Sequence, residues 1–329
     1  MSEPKTSADG LVFGCVLDGQ GGAQTIGWPD ADIWKDDQKP CWLHLEAGHA
    51  ETEAWLRESS GLAPLTIDAL LARETRPRYT INSDRVWAIL RGVNLNSNAQ
   101  PDDMVAMRIW SDGKRIITMR NRRLQTPRDI LARLTESADG PRTIGQLYQS
   151  LVSMLVIRMA DTINALDDAL SGLEIALEGG NARAVRGELA DLRLRAVNLR
   201  RYLAPQREAL AAMANDAPDW LSEIERQHLT ETADRLTRYV EEIDAARERA
   251  LVLKDDATNQ IAERSERTLY LLSIISAIFL PLSFLTGLLG MNVGGLPGLE
   301  SASAFLWVCV GMGLLLAVQL IVMRWLKWL

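Results

Sequence analysis

Charge is nearly absent from the last quarter of this chain. Between Thr268 and Met323 the one formal charge is Glu300. That excludes ordinary solvent-facing helices, which carry polar residues along one side. The stretch from Met291 to Ser303 has no Lys or Arg. Histidine and cysteine are scarce, with 3 of each in 329 residues. Cys15, Cys41 and Cys309 are widely spaced and form no metal or redox motif. His44 and His49 lack further ligands at matched spacing and read as a strand and a loop histidine. No nucleophile–base pair or phosphate loop appears, which argues against an enzyme. Residues 1–10 have no apolar core, so they read as a loose tail rather than a signal peptide. Glycine is missing from Asp219 to Leu285, and no proline interrupts that stretch before Pro281.

What fills the last quarter is apolar. Thr268 to Gly290 is about 23 residues, or about 34 Å as a helix, and Ala304 to Met323 is about 20 residues, or about 30 Å. Both are long enough to cross a lipid bilayer. Arg264 and Arg267 precede the first run, and Arg324 and Lys327 follow the second. Positive charge collects on the cytoplasmic side, so both chain ends are expected inside and the 291–303 loop outside. Trp325 and Trp328, beside the last cations, suit the headgroup zone. Without Arg324, Lys327 and Glu300, the chain's 36 cationic and 43 acidic residues leave the N-terminal part at net −8. That balance argues against nucleic acid and weakly favours cations as partners.

From 11 to 140 the text is that of an α/β domain. Apolar runs predict strands at Leu11–Leu17, Cys41–Leu45, Val86–Val93, Met104–Trp110 and Arg115–Met119. Ser111-Asp112-Gly113 predicts a hairpin between the last two. Helical patterns fall at Thr52–Ser59, Pro64–Leu71 and Pro127–Leu134. From 141 to 217 the pattern is an antiparallel helix pair. Leu147, Leu151, Met154, Ile163, Leu166, Leu170, Leu173 and Leu177 form the first seam, which Gly179-Gly180-Asn181 stops. Val185, Leu189, Leu192, Leu199 and Leu203 form the second, and Pro205 is expected to kink or end it. Arg193, Arg195, Arg200, Arg201 and Arg207 on this helix offer two readings. One is an anion site; the favoured one is a solvated face paired with neighbouring carboxylates.

A stalk helix is expected over 218–267, beginning near Pro218 with Asp216 as its cap. Ser222 and Glu225 offer a capping box slightly later. The seam of Leu229, Ala233, Leu236, Val240 and Ile243 is narrow, and Arg247 and Lys254 interrupt it. Unbroken to Asn292, the helix spans about 74 residues and about 110 Å. It buries too little to stand alone in water, so it needs the helix pair or copies of itself. Asp255 and Asp256 sit where the seam is weakest and read as a solvated face or as cation-attracting carboxylates. The fold class is α+β. A cytoplasmic α/β domain, helix pair and stalk lead into a first membrane helix (268–290), an outer loop (291–303), a second membrane helix (304–323) and a cytoplasmic tail (324–329).

On a helical wheel, Leu269, Ser273, Ser276, Leu280, Ser283 and Gly287 fall in one narrow arc of the first span. Small and hydroxyl side chains there either let another helix approach closely or line a pore with apolar constrictions at Leu269 and Leu280, with Leu272 as a third candidate. Pro281 leaves the Ala277 carbonyl without its helical donor and is expected to bend the span. No Cys, His, Asp or Glu lies on the arc, so no metal-ligating side chain is expected there and an ion passes hydrated.

Gly290-Met291-Asn292 stands at the outer end of this span. In that position it resembles the Gly-Met-Asn signature of the CorA superfamily of divalent-cation transporters. Pro40–Leu45, Arg201–Arg207, Glu242–Ala245, Phe279–Leu288 and Asn292–Gly298 are also similar to that superfamily, most of all to its zinc-transporting ZntB branch. The likeness covers nearly the whole chain. It implies a homopentamer in the bacterial inner membrane, with a funnel-shaped cytoplasmic domain and no cofactor. Five first spans would surround the pore and the second spans would form an outer ring. Zinc would be the cargo, with nickel, cobalt and cadmium as further candidates and protons as the coupling ion. Gly290, Met291 and Asn292 would form the selective outer mouth. Magnesium-transporting relatives usually carry Met-Pro-Glu-Leu after the signature, whereas Gly294–Glu300 looks like the zinc branch. Met291 departs from that branch, which often has Val or Ile there.

The arc has no titratable side chain, so a coupled proton is expected to bind outside the hydrocarbon. Glu300 in the outer loop and Glu263 and Glu266 at the inner neck are the candidates. Glu266, one turn before Leu269, is the strongest. It also has the plainer reading of an ion pair with Arg264 or Arg267. Two other functions stay open: a magnesium, cobalt or nickel channel of the same superfamily, and a membrane-anchored sensor that does not conduct.

Overall fold

A computed structural model describes residues 9–32, 39–73, 76–96, 99–100, 102–291, 303–326 and 328. The chain divides into two units, Met1–Lys254 and Asp255–Leu329. In the first, the described strands are β1 (Leu11–Leu17), β2 (Ala23–Ile26), β3 (Cys41–Glu46), β4 (Arg78–Asn82), β5 (Arg85–Gly92), β6 (Val105–Ser111) and β7 (Arg115–Arg120). They form one sheet of order β2-β1-β3-β7-β6-β5-β4. The β3–β7 pair is parallel, with Leu43 beside Ile117 and Leu45 beside Met119, and the other neighbours are antiparallel. β6 and β7 are buried along their whole length, their arginines included, as strands covered on both faces should be.

On one face Leu43, Leu45, Trp110, Ile117 and Met119 pack with Leu56 of α1 (Ala50–Glu58) and with Ile67 and Leu70 of α2 (Pro64–Leu71). His44 points to the other face and is buried, its Nδ1 2.8 Å from Thr118 Oγ1. Burial, helped by the charge of Arg120, pushes its pKa down to about 3, so it is a neutral core histidine. His49 caps α1, its Nδ1 accepting from the Glu51 N–H at 3.3 Å. Cys15 and Cys41 are buried on β1 and β3, and burial pushes both thiols up to about 12, which makes them inert.

β2 and β4 do not stand out in the sequence. Both are edge strands, with no residue of either fully buried, and so lack an apolar run. The β6–β7 hairpin forms at the predicted turn. Gly113 there has φ +80° and lies directly against the Trp220 ring, so a side chain would be both strained and in collision.

The helices that follow are α3 (Gln125–Ala132), α4 (Ile144–Ile157), α5 (Ala160–Glu178), α6 (Ala182–Asn215), α7 (Glu223–Leu289) and α8 (Ala304–Trp325). Three differ from the sequence reading. The first seam is carried by two helices, broken between α4 and α5 where Arg158 turns to pair with Asp129 of α3. Pro205 does not end α6, which continues to Asn215. Its neighbour Gln206 is fully buried, accepts from the Arg91 N–H at 2.6 Å and donates to the Arg91 carbonyl at 3.1 Å. β4 pairs with β5 only as far as Ile89, so this amide fills the next position on the edge of β5. Such tertiary bonds offset the one hydrogen bond that proline removes.

The stalk is the third difference. It begins at Glu223 rather than near Pro218, and the cap is Ser222, not Asp216. The Ser222 N–H donates to Glu225 Oε2 at 2.6 Å, and the Glu225 N–H donates to Ser222 Oγ at 3.5 Å. The preceding residues tie down the sheet instead. Trp220 Nε1 donates to the Asp84 carbonyl and Tyr79 Oη to the Asp216 carbonyl, each at 2.7 Å. At 67 residues α7 is about 100 Å long. Leu229, Ala233, Leu236, Val240 and Ile243 are buried within the chain. α4 and α5 flank that seam: Ser153 Oγ lies 2.7 Å from Thr232 Oγ1, and Arg249 pairs with Glu174 and, at 3.2 Å, with Asp167. From α6, Arg200 pairs with Asp244 at 2.5 Å.

Candidate ion pathway

The second unit contains the end of α7 and all of α8, and both helices carry a stretch long and apolar enough to cross a membrane. The two run antiparallel. Ala277 faces Gln319, and Tyr270 donates its hydroxyl to the Trp328 carbonyl at 2.5 Å. Ile274, Ala277, Ile278, Pro281, Leu282 and Leu285 of α7 are half-buried, at steps of three and four, and so form the contact face. On α8 the matching face is Val308, Met312, Leu315, Leu316, Gln319 and Met323.

Leu269, Ser273, Ser276, Leu280, Ser283 and Gly287 are all exposed, with Leu269 at 64% and Leu280 at 70%. They project from the side of α7 away from α8. The small residues of the arc are therefore not used to pack the second span. Ser273 Oγ donates to the Leu269 carbonyl at 2.9 Å, which keeps its proton within the helix and turns its lone pairs outward. At the outer end the Gly290 N–H donates to the Thr286 carbonyl at 2.9 Å, and a Cβ on Gly290 would meet that oxygen at 3.0 Å. Met291 is exposed beyond it. Asn292, Glu300 and Lys327 lie outside the described residues.

Pro281 leaves the Ala277 carbonyl without a donor from its own helix. Gln319 Nε2 of α8 reaches that carbonyl at 3.4 Å. Its Oε1 is buried with no hydrogen-bond partner among the described residues. Gln319 does not stand out from the sequence pattern of its span, although a lone amide in an apolar helix is a readable signal.

On the N-terminal side of the arc, Asp255, Asp256, Glu263 and Glu266 are exposed. Asp255 precedes Glu266 by eleven residues and Glu266 precedes Ser273 by seven, which places the three within about 20° of one helix face. Glu263 and Asp256 are turned about 80° and 100° away. Among the described residues, neither Glu263 nor Glu266 forms an ion pair with Arg264 or Arg267. The described residues hold no group of three or more His, Cys, Asp or Glu able to bind a metal ion.

Comparison with known proteins matches the chain throughout its length. The family described as CorA-like Mg2+ transporter protein matches residues 37–326. Divalent cation transporter CmaX of Pseudomonas aeruginosa is 39% identical over 323 residues, 97% of this chain and 97% of that protein. Zinc transport protein ZntB of Yersinia enterocolitica is 35% identical over 316 residues, 96% of this chain and 94% of that one. The solved structure of the full-length CmaX protein has a TM-score of 0.84 at 37% identity, over 99% of this chain and 100% of that one. The CorA magnesium transporter from Methanocaldococcus jannaschii shares the fold, with a TM-score of 0.78 at 17% identity over 96% and 98% of the two chains. The likeness takes in both the N-terminal sheet and the two C-terminal apolar helices, and the chain belongs to the CorA family of divalent-cation transporters.

Proposed function

We propose that this chain takes up hydrated zinc ions across the bacterial inner membrane, as a homopentamer whose pore is lined by the Leu269–Gly287 arc of α7. The observation that carries this reading is the direction of the arc. It is exposed, opposite the face that α8 covers. Serine hydroxyls left against hydrocarbon are costly, whereas water or another copy of the helix would satisfy them. Five copies around an axis supply both, with α8 outside.

Rings of Ser273, Ser276 and Ser283 then offer oxygens to the waters around a dication. Leu269 and Leu280 form apolar constrictions that gate by wetting and drying. At the outer mouth Gly290, Met291 and Asn292 contribute neutral carbonyl and carboxamide oxygens, which hold a hydration shell without stripping it. Asp255 and Glu266, on the same helix face, raise the local cation concentration on the cytoplasmic side. The cations flanking the spans favour cytoplasmic ends and an outer 291–303 loop. No cofactor is needed for this route, and nickel, cobalt and cadmium fit it as well. Zinc is favoured by the Gly294–Glu300 loop and by the relatives named as zinc transport proteins. Magnesium or cobalt conduction is the second reading, favoured by Met291 and by the description of the family.

Glu266 is the proposed proton carrier, as the carboxylate nearest the arc, with Glu263 and Glu300 as alternatives. Uptake of zinc, nickel, cobalt and magnesium into proteoliposomes, with and without an inward proton gradient, tests the whole scheme. Zinc flux stimulated by the gradient in the wild type, and unstimulated flux in Glu266→Gln, fits it. Magnesium flux well above zinc flux selects the second reading. Absence of flux for every ion overturns transport.

A further inference from the structure

The first unit contains a cavity of about 470 Å³ that the transport scheme does not use. Five arginines line it: Arg73, Arg76, Arg91, Arg122 and Arg201. They come from separate parts of the chain. Arg73 and Arg76 lie between α2 and β4, Arg91 is on β5, Arg122 follows β7, and Arg201 is on α6. The Gln206 amide pins α6 to the backbone of Arg91 and so holds one wall against another. Tyr202 completes the lining, with the Arg91 guanidinium 4.5 Å from its ring centre and Arg201 5.6 Å away.

Among the described residues, no carboxylate in the lining of this cavity matches its guanidinium charge. Asp103 pairs with Arg122. Among the described residues, Arg73, Arg76 and Arg201 form no ion pair. A sixth guanidinium stands behind the wall. Arg108 is 1% exposed and donates to the Ala72 carbonyl at 2.8 Å and to Oδ1 of the lining residue Asn121 at 3.3 Å. No described carboxylate pairs with it, and its Nε has no hydrogen-bond partner among the described residues. Burial, and then the charge of Arg91, pulls its pKa down to about 10. A buried cation without an anion is unfavourable, and like charges gathered around one space add to that. This happens in a chain whose net charge is −7, so general composition does not explain it.

We propose that the cavity is a binding site for a polyphosphate anion, either free pyrophosphate or the phosphate chain of a nucleotide. Guanidinium forks match phosphate oxygens in pairs. The volume lies within the range of small-molecule sites. A chain of two or three phosphates offers more oxygens to these guanidiniums than a single phosphate group does. A solvated, carboxylate-paired face is the expectation for the arginines of α6. Arg200 is paired in this way, whereas Arg201 is exposed but forms no ion pair among the described residues.

The test is calorimetric titration of the full-length protein in detergent at low ionic strength, with EDTA present so that metal chelation gives no signal. Sodium pyrophosphate, ATP and citrate are the probes. Saturable binding of pyrophosphate or ATP, one per chain, is expected, weakening as salt is added. Removing two charged donors in R76Q/R201Q should weaken it by tenfold or more, and Arg186→Gln, exposed elsewhere on α6, should leave it unchanged. Arg201→Lys, which keeps the charge and loses the fork, should weaken it severalfold. Equal affinity for pyrophosphate and ATP identifies the phosphates as the whole ligand, and tighter ATP binding identifies a nucleotide. Three results overturn the proposal. One is no saturable binding, as when carboxylates of a neighbouring copy fill the cavity. The others are citrate bound as tightly as pyrophosphate, and undiminished binding in a correctly folded R76Q/R201Q protein.

Discussion

His44→Gln isolates one source of acid sensitivity in the folded sheet. His44 is 1% exposed on β3, with Nδ1 against Thr118 Oγ1 and Nε2 without a partner among the described residues. Its pKa is held near 3, mainly by burial, against 6.5 for the free side chain. Below pH 6.5 the unfolded chain takes up a proton that the folded chain refuses. The folded value is the lower one, so the contribution is complete above pH 6.5 and is lost as pH falls toward 3. The slope in that window is about 1.4 kcal/mol per pH unit, which makes the loss about 2 kcal/mol at pH 5. For a unit of this size that is about 4–8 °C of melting temperature. Tryptophan fluorescence during thermal unfolding of the full-length protein measures it, in wild type and His44→Gln, at several values from about pH 7 to about pH 5. Glutamine does not titrate, and its fixed cost is the same at every pH. The melting temperature of the variant should fall less steeply, and its gap from the wild type should change by about 4–8 °C. Parallel curves would show that the folded chain protonates His44 near its ordinary pKa and would refute the burial argument.

Leu280→Ser, by hydrating a proposed constriction, should raise basal cation leak severalfold, while Leu314→Ser on the exposed face of α8 should not; equal leak in both would place the pore elsewhere. Asp255→Asn with Asp256→Asn should lower zinc flux a few-fold at low ionic strength and have little effect at about 1 M salt, where screening acts within about 3 Å. A deficit that ignores salt would assign the pair to folding. Gln319→Leu should destabilise the α7–α8 hairpin by about 0.5–1 kcal/mol, read from melting in detergent, because the Ala277 carbonyl loses its donor. Pro281→Ala restores a helical donor to that carbonyl, so an undiminished cost of Gln319→Leu in that background would mean that Gln319 serves another group.

The two membrane-length helices are legible in the sequence because a bilayer demands length and apolarity that no neighbouring segment can replace. Strands such as Leu11–Leu17 and Arg115–Met119 are legible as largely apolar runs, the second extending to Arg120 in the structure, and the hairpin is legible from Ser111-Asp112-Gly113. The edge strands Ala23–Ile26 and Arg78–Asn82 are not, since a half-exposed strand carries little hydrophobic signal. At Pro205, where a kink or an end is expected, the end does not occur, and the buried Gln206 amide holds the helix to β5. The arc of Leu269, Ser273, Ser276, Leu280, Ser283 and Gly287 can be drawn from the sequence on a wheel. That α8 covers the opposite face, and that Gln319 supplies the donor lost at Pro281, cannot. The same holds for Arg91, Arg122 and Arg201, which are far apart in the chain and meet around one cavity. Period, length and turn chemistry belong to a segment and can be read within it. Which face is covered and which charges meet depend on contacts between distant segments, and only the tertiary structure decides those.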